Sequence, residues 1–211
     1  MIDIVPAVEA DYPVLSNILS LAMAPSTVDR LLFKEYDHFA DGVKFALGWL
    51  HELGTSPDCH VIKAVLRDTG EMVGYAVAIF CKADENKAAA SNGGVLPSYV
   101  NEQFCSRFFA TLNEKRNHHM AGKDHWNLDQ LMVHPSHQRK GIGGQLLAWG
   151  LANWPIRNSP IYLSAQLTGH KLYRKYGWQD VDEIILDLSE YMPPFSGYGL
   201  HKTICMVRPA L

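Results

Sequence analysis

Residues 131–147 read Leu-Met-Val-His-Pro-Ser-His-Gln-Arg-Lys-Gly-Ile-Gly-Gly-Gln-Leu-Leu, and no other stretch limits the possible folds as much. The segment Trp126–Val133 predicts a strand, and Pro135 stops it. A turn with Gly141, Gly143 and Gly144 follows, then an amphipathic helix to about Asn153. A strand passing through a glycine turn into a helix points to a fold that mixes sheet and helix. Such a turn leaves backbone N–H groups unpaired at the helix start, and the helix dipole reinforces them, so it is a candidate anion site. Arg139 and Lys140 add positive charge beside it. The competing reading is a plain glycine-rich turn. Two familiar phosphate loops do not fit: G-x-x-x-x-G-K-[ST] is absent, and G-x-G-x-x-G fails at Leu146. Neither a nucleoside triphosphate nor NAD is indicated.

The rest of the chain supplies the other elements. Ile2–Ala7 predicts a short strand, and 11–24 a helix whose Leu15, Ile18, Leu19 and Ala22 repeat at helical spacing. Helices are expected near 28–36 and over 39–53, the latter stopped by Gly54. Cys59–Leu66 and Met72–Cys81, joined by Arg67-Asp68-Thr69-Gly70, predict an antiparallel hairpin. A small, polar loop over 83–97 and a helix over 97–120 form an insertion, 83–123, before the next strand. After the glycine turn and its helix come a strand at 160–165, a helix at 167–176, and strands at 184–188 and 200–207. The order β-α-α-α-β-β-α-β-α-β-α-β-β predicts an α/β or α+β domain on a mixed sheet, with 1–211 as one domain.

Composition narrows the function classes. With 47% hydrophobic and 19% charged residues the chain is not disordered by composition. A net charge of −3 argues against bulk nucleic acid as the main partner. Four widely spaced cysteines without C-x-x-C suggest reduced, buried thiols in a cytoplasmic or nuclear protein. No run is long and apolar enough for a membrane span, and no signal peptide is visible. The ten histidines show no metal-ligand spacing on a helix, so no metal is expected.

Three segments together resemble the GCN5-related N-acetyltransferase family. Gln138-Arg139-Lys140-Gly141-Ile142-Gly143 matches the signature [QR]-x-x-G-x-[GA], and Leu131-Met-Val-His-Pro135 the strand L-x-V-x-P before it. Leu172-Tyr173-Arg-Lys-Tyr-Gly177-Trp178 matches the downstream L-Y-x-x-x-G-[FW] element. The resemblance implies a mostly antiparallel central sheet flanked by helices, with a V-shaped gap between the fourth and fifth strands. It implies acetyl-coenzyme A in that gap. The pyrophosphate would lie on backbone amides of Gln138, Arg139, Lys140, Gly141, Ile142, Gly143 and Gly144. The pantetheine arm would pair with the backbone of Leu131 and Val133, and an N–H near Met132 would face the thioester oxygen. Tyr173 matches the tyrosine that protonates the leaving thiolate. Many members carry N-x-x-A before that tyrosine; here Gln166 and Gly169 stand at those positions, and Gln166 keeps the capacity to contact the coenzyme.

The implied reaction is acetyl transfer to a primary amine by direct attack in a ternary complex, with a small-molecule acceptor. A protein or peptide amine is the alternative acceptor, and a non-catalytic coenzyme A sensor the alternative class. An amine of pKa about 10.4 is neutral in only about one molecule in a few thousand at pH 7, a deficit of about 4.6 kcal/mol that a base offsets in part. Members with a side-chain base place it at positions matching Asn127 or Asp129; Asn127 cannot serve, and Asp129 can. By strand alternation 127, 129, 131 and 133 share one face, so Asp129 is either the base or a group that binds the acceptor. Phe33 and Tyr36, between early helices, are expected at the acceptor pocket with Asn127. The resemblance leaves monomer and homodimer open.

Overall fold

The computed structural model describes residues 1–34, 39–83, 96–155, 158–191 and 197–210. Among these, seven strands form one sheet in the order β1-β2-β3-β4-β5-β7-β6. The strands are β1 (Ile2–Pro6), β2 (Cys59–Leu66), β3 (Met72–Cys81), β4 (His125–Val133), β5 (Ile161–Gln166), β6 (Gln179–Asp187) and β7 (Leu200–Arg208). The helices are α1 (Tyr12–Met23), α2 (Thr27–Leu32), α3 (Phe39–Gly54), α4 (Glu102–Met120), α5 (Ile142–Asn153) and α6 (Leu167–Lys175). Every strand pair is antiparallel except β4 with β5. The fold class expected from the sequence is the one observed. No helix among the described residues is long and apolar enough to cross a membrane.

The helices cover both faces of the sheet. On one face α5 buries Ile142, Leu146 and Leu147 against β2, β3 and β4, in a cluster that includes Trp126, Trp154 and Trp178. Each of those aliphatic side chains contributes about 1.5–3 kcal/mol by leaving water. On the other face α1 and α3 close over Tyr75 and Val77 of β3 with Leu15, Ile18 and Leu50. Beside them α2 and α4 pack Val28, Leu31, Phe104 and Met120 over Tyr162 and Cys205 of β5 and β7. All four cysteines are free thiols.

Three boundaries differ from the sequence reading, each for a local reason. Helix α4 starts at Glu102 rather than Pro97, because Val100 bridges Phe33 and the Asn101 side chain accepts the Phe104 N–H at 3.3 Å as an N-cap. Helix α2 ends at Leu32, with Phe33 extended (φ −119°, ψ 153°) to make that bridge. Strand β6 begins at Gln179, five residues earlier than expected. Gln-Asp-Val-Asp-Glu lacks an apolar run, but it forms the edge of the sheet, where acidic side chains are tolerated and discourage further pairing.

Candidate active site

The site begins with a failure of pairing. The parallel contact between β4 and β5 holds only at Trp126–Ile161 and Asn127–Tyr162. Beyond Asn127 the two strands part, whereas β4 stays paired with β3 as far as Val133. The result is the V-shaped gap expected between the fourth and fifth strands. Burial falls along β4 as the gap opens, from a buried Trp126 to half-buried Leu131, Met132 and Val133.

Strand alternation decides which amides face the gap. The His134 N–H donates to Val73 O on β3 at 2.9 Å. Two residues back, Met132 therefore turns its N–H to β3 as well, and Leu131 and Val133 present theirs to the open edge. The Val133 carbonyl confirms the direction, since it accepts the Gln138 side-chain amide at 3.1 Å. The Met132 N–H, near which the sequence places an expected oxyanion donor, is therefore turned away from the gap, and the Leu131 and Val133 N–H groups face it.

A bulge sits at Asp129. Val77 pairs with Gln130 and Ala78 with Leu128, so Asp129 is the extra residue on β4. The bulge reverses the side-chain alternation. Leu128, Leu131 and Val133 all pack with the α5 cluster, while Gln130 meets Tyr75 on the α1–α3 face. The expectation that Asp129 shares a face with Leu131 and Val133 is corrected by this extra residue. Asp129 lies instead among Cys59, Tyr75, Asn127, Gln130 and the Arg116 guanidinium of α4.

The Asp129 carboxyl is enclosed. Asn127 Nδ2 donates to Oδ1 at 3.3 Å, and Oδ2 has no hydrogen-bond partner among the described residues. Burial pushes its pKa up to about 6, against the opposing pull of Arg116 and then of the Gln130 and Asn127 amides. A carboxylate poised there is matched to base work near neutrality. Cys59 is pushed up to about 12 by burial and by the Asp129 charge, so it stays a thiol and is a poor nucleophile.

At the wide end of the gap lies the turn before α5. The N–H groups of Arg139 through Gly144 have no acceptor among the described residues; the first helical bond runs from Gln145 N to Gly141 O. Gly141 caps the helix in the left-handed region at φ 82°, with open space where a Cβ would stand. Arg139 is also left-handed, at φ 62°, the only non-glycine with positive φ among the described residues. Lys140 Nζ binds Ser136 O at 2.9 Å and pins the turn. Left-handed residues at Arg139 and Gly141 form the kind of backbone pattern that can gather N–H groups around an anion. Gly143 and Gly144 serve packing as well. A Cβ at Gly143 would meet Leu172 at 3.2 Å, and one at Gly144 the Tyr176 hydroxyl at 2.8 Å, so the two glycines let α6 close on α5.

The other expected residues are placed as follows. Tyr173, on α6, packs against the α5-face cluster and edge-on to Trp178 at 5.9 Å; burial pushes its phenol up to about 12. Gln166 ends β5, and its amide reaches Met23 Sδ of α1 at 3.8 Å. Asn127 is buried and holds Asp129. Phe33 is buried among Phe45 and Tyr99 in the helical layer. Tyr36 lies outside the described residues.

A profile for the acetyltransferase (GNAT) domain matches residues 57–180, more than half of the chain. The chain belongs to the GNAT acetyltransferase family. No curated protein matches it. Solved structures share the GNAT fold at low identity. A histone acetyltransferase HPA2-related acetyltransferase of Corynebacterium glutamicum superposes with TM-score 0.66 at 21% identity, covering 100% of this chain and 97% of that one. A mosquito arylalkylamine N-acetyltransferase-like 5b gives 0.67 at 14%, covering 98% and 99%. The Drosophila melanogaster polyamine N-acetyltransferase gives 0.61 at 16%, covering 97% and 99%.

Two groups escaped sequence reasoning. Tyr75 lies within the apolar run of β3 and Arg116 within the polar helix α4, yet both act on Asp129. One signal was present in the strand itself. Adjacent polar residues at Asp129 and Gln130 break the period of two in an otherwise regular strand, which is what a bulge does.

Proposed function

We propose that this protein transfers acetyl from acetyl-coenzyme A to the primary amine of a small molecule, by direct attack with both substrates bound. The unpaired edge of β4 beyond Asn127, leading to the amide nest at 139–144, is the observation that carries the reading. It offers an extended amide-bearing arm the Leu131 and Val133 backbone, and a pyrophosphate at least six convergent N–H groups with Arg139 and Lys140 nearby. Acetyl-coenzyme A supplies an activated thioester whose carbonyl carbon accepts the amine. The Leu131 or Val133 N–H at the open edge would donate to the thioester oxygen as negative charge builds there. The acceptor amine approaches from the α1–α3 face, and Asp129 takes its proton, directly or through water.

Tyr173 packs against the same α5-face cluster as Leu131 and Val133 and keeps its proton at every physiological pH. A phenol near 12 lies about 3.5 units above an ordinary thiol. Donation of a hydrogen bond to the departing sulfur is therefore its role, and full proton transfer is uphill. The acidic Asp129 on the acceptor side suits a cationic amine; fold neighbours are named for arylalkylamines and polyamines, and one for a histone acetyltransferase, so the acceptor panel includes peptides.

The test is release of coenzyme A from acetyl-coenzyme A with a panel of arylalkylamines, polyamines and lysine peptides. Calorimetry with acetyl-coenzyme A, NAD and ATP runs beside it. Donor binding with turnover of a small amine is expected. Turnover of peptides alone would move the acceptor to proteins, binding without turnover would favour a sensor, and absence of donor binding would overturn the site.

A further inference from the structure

Beside Asp129 lies a buried polar pair that donor binding does not employ. Tyr75 is fully enclosed by Tyr12, Leu15, Ile18, Leu50 and Val77, yet its hydroxyl donates to Gln130 Oε1 at 2.5 Å. Burial and the Asp129 charge hold that phenol well above its ordinary pKa, so it is always a donor. A carboxamide that accepts at Oε1 must present its NH2 the other way. Here that NH2 is turned toward Asp129, where it favours the ionised carboxyl without reaching the geometry of a full hydrogen bond. The bulge makes this possible by placing Asp129 and Gln130 next to each other on the α1–α3 face. Asn127 Nδ2 approaches the same carboxylate from the other neighbour.

We infer that Tyr75 is a positioning residue for acetyl transfer: its hydroxyl locks the Gln130 carboxamide with NH2 toward Asp129, which favours the ionised carboxylate that the base reaction needs. The inference rests on the reading of Asp129 as the base. The groups facing that carboxylate are Cys59 from β2, Tyr75 from β3, Asn127 and Gln130 from β4, and Arg116 from α4. Of these, the Asn127 and Gln130 amides each have two nearly isosteric orientations with opposite polarity, and that of Gln130 is the one the Tyr75 hydroxyl fixes. Without the Tyr75 hydroxyl it is free to turn Oε1 toward the carboxylate, which disfavours the ionised form.

The experiment is the pH dependence of kcat/KM with acetyl-coenzyme A and the best amine, for the parent, Asp129→Asn, Tyr75→Phe, Gln130→Met and the double variant Tyr75→Phe/Gln130→Met. Tyr75→Phe should move the acid limb up by about 0.5–1 pH unit with the KM for the donor unchanged. Gln130→Met should do the same, and the double variant should add nothing further, since both act through one amide. Asp129→Asn should abolish the limb. If it does, while Tyr75→Phe and Gln130→Met superimpose on the parent, the positioning role is wrong and the base survives. If Asp129→Asn keeps the limb, the base reading falls and this inference with it. A lowered thermal midpoint without a moved limb would mean that the pair only packs, and overturns the inference.

Discussion

Replacing Asp129 by Asn should make the protein more stable and less active, and the gain should depend on pH. The enclosed carboxyl, with Oδ2 unpaired, is raised from 3.8 to about 6. Between those values the native state holds a proton that the unfolded chain has released. The parent therefore loses stability as pH rises through the interval, and above it the ionised group costs about 3 kcal/mol, 2.2 units at about 1.36 each. Asn does not titrate, so the variant escapes this loss. Integrating the linkage between pH 4.5 and 8, the difference between variant and parent should grow by about 2 kcal/mol in the variant's favour. Every other titrating group cancels in that difference. Urea unfolding of both proteins at four pH values measures it, and the slope with denaturant should not change. Over the same range kcat/KM should fall by roughly 10²–10⁴-fold if Asp129 is the base. A stability difference that is flat with pH would refute the enclosed carboxyl, whatever the activity does.

Other outcomes follow from the same geometry. Gly144→Ala would push a Cβ against the Tyr176 hydroxyl at 2.8 Å and should cost about 1–3 kcal/mol by prising α6 from α5, read as a lower thermal midpoint. Tyr173→Phe should lower kcat by roughly 10–100-fold with little change in donor KM, because the hydroxyl acts on the leaving sulfur; unchanged kcat would remove it from the reaction. Arg139→Gly should stabilise the turn by roughly 1 kcal/mol, since φ 62° suits glycine, while raising the donor KM through loss of charge. Asp182 of β6 binds Lys115 at 2.8 Å and His119 at 3.0 Å on α4, which hold its carboxyl well below the usual range. Asp182→Asn should lower the thermal midpoint at pH 7. That gap should close as the pH falls below the carboxylate range, because the depressed group stabilises only while ionised.

The glycine turn before α5 was legible because it is local. Glycines, a preceding proline and flanking cations act within a few residues of each other, and the left-handed Gly141 appears where the signature demands it. The hairpin, the amphipathic α1 and the strand–turn–helix at β4–α5 were legible for the same reason: their period is written in consecutive residues. Strand β6 was only half legible, since an edge strand needs no apolar alternation on the side that faces water.

The sequence by itself determined that helices and strands would mix in this order and that a glycine turn would lead from a strand into α5. The tertiary structure alone decided where their side chains lie. One extra residue in β4, visible only against its partner β3, reverses the alternation and carries Asp129 to the α1–α3 face. Parting of β4 from β5 after Asn127 frees the Leu131 and Val133 amides. Enclosure by Tyr75, Gln130 and Arg116, contributed by segments far apart in the chain, sets the proton affinity of Asp129. Desolvation and strand register depend on which surfaces meet, and that is a property of the whole packed molecule, not of any run of neighbours.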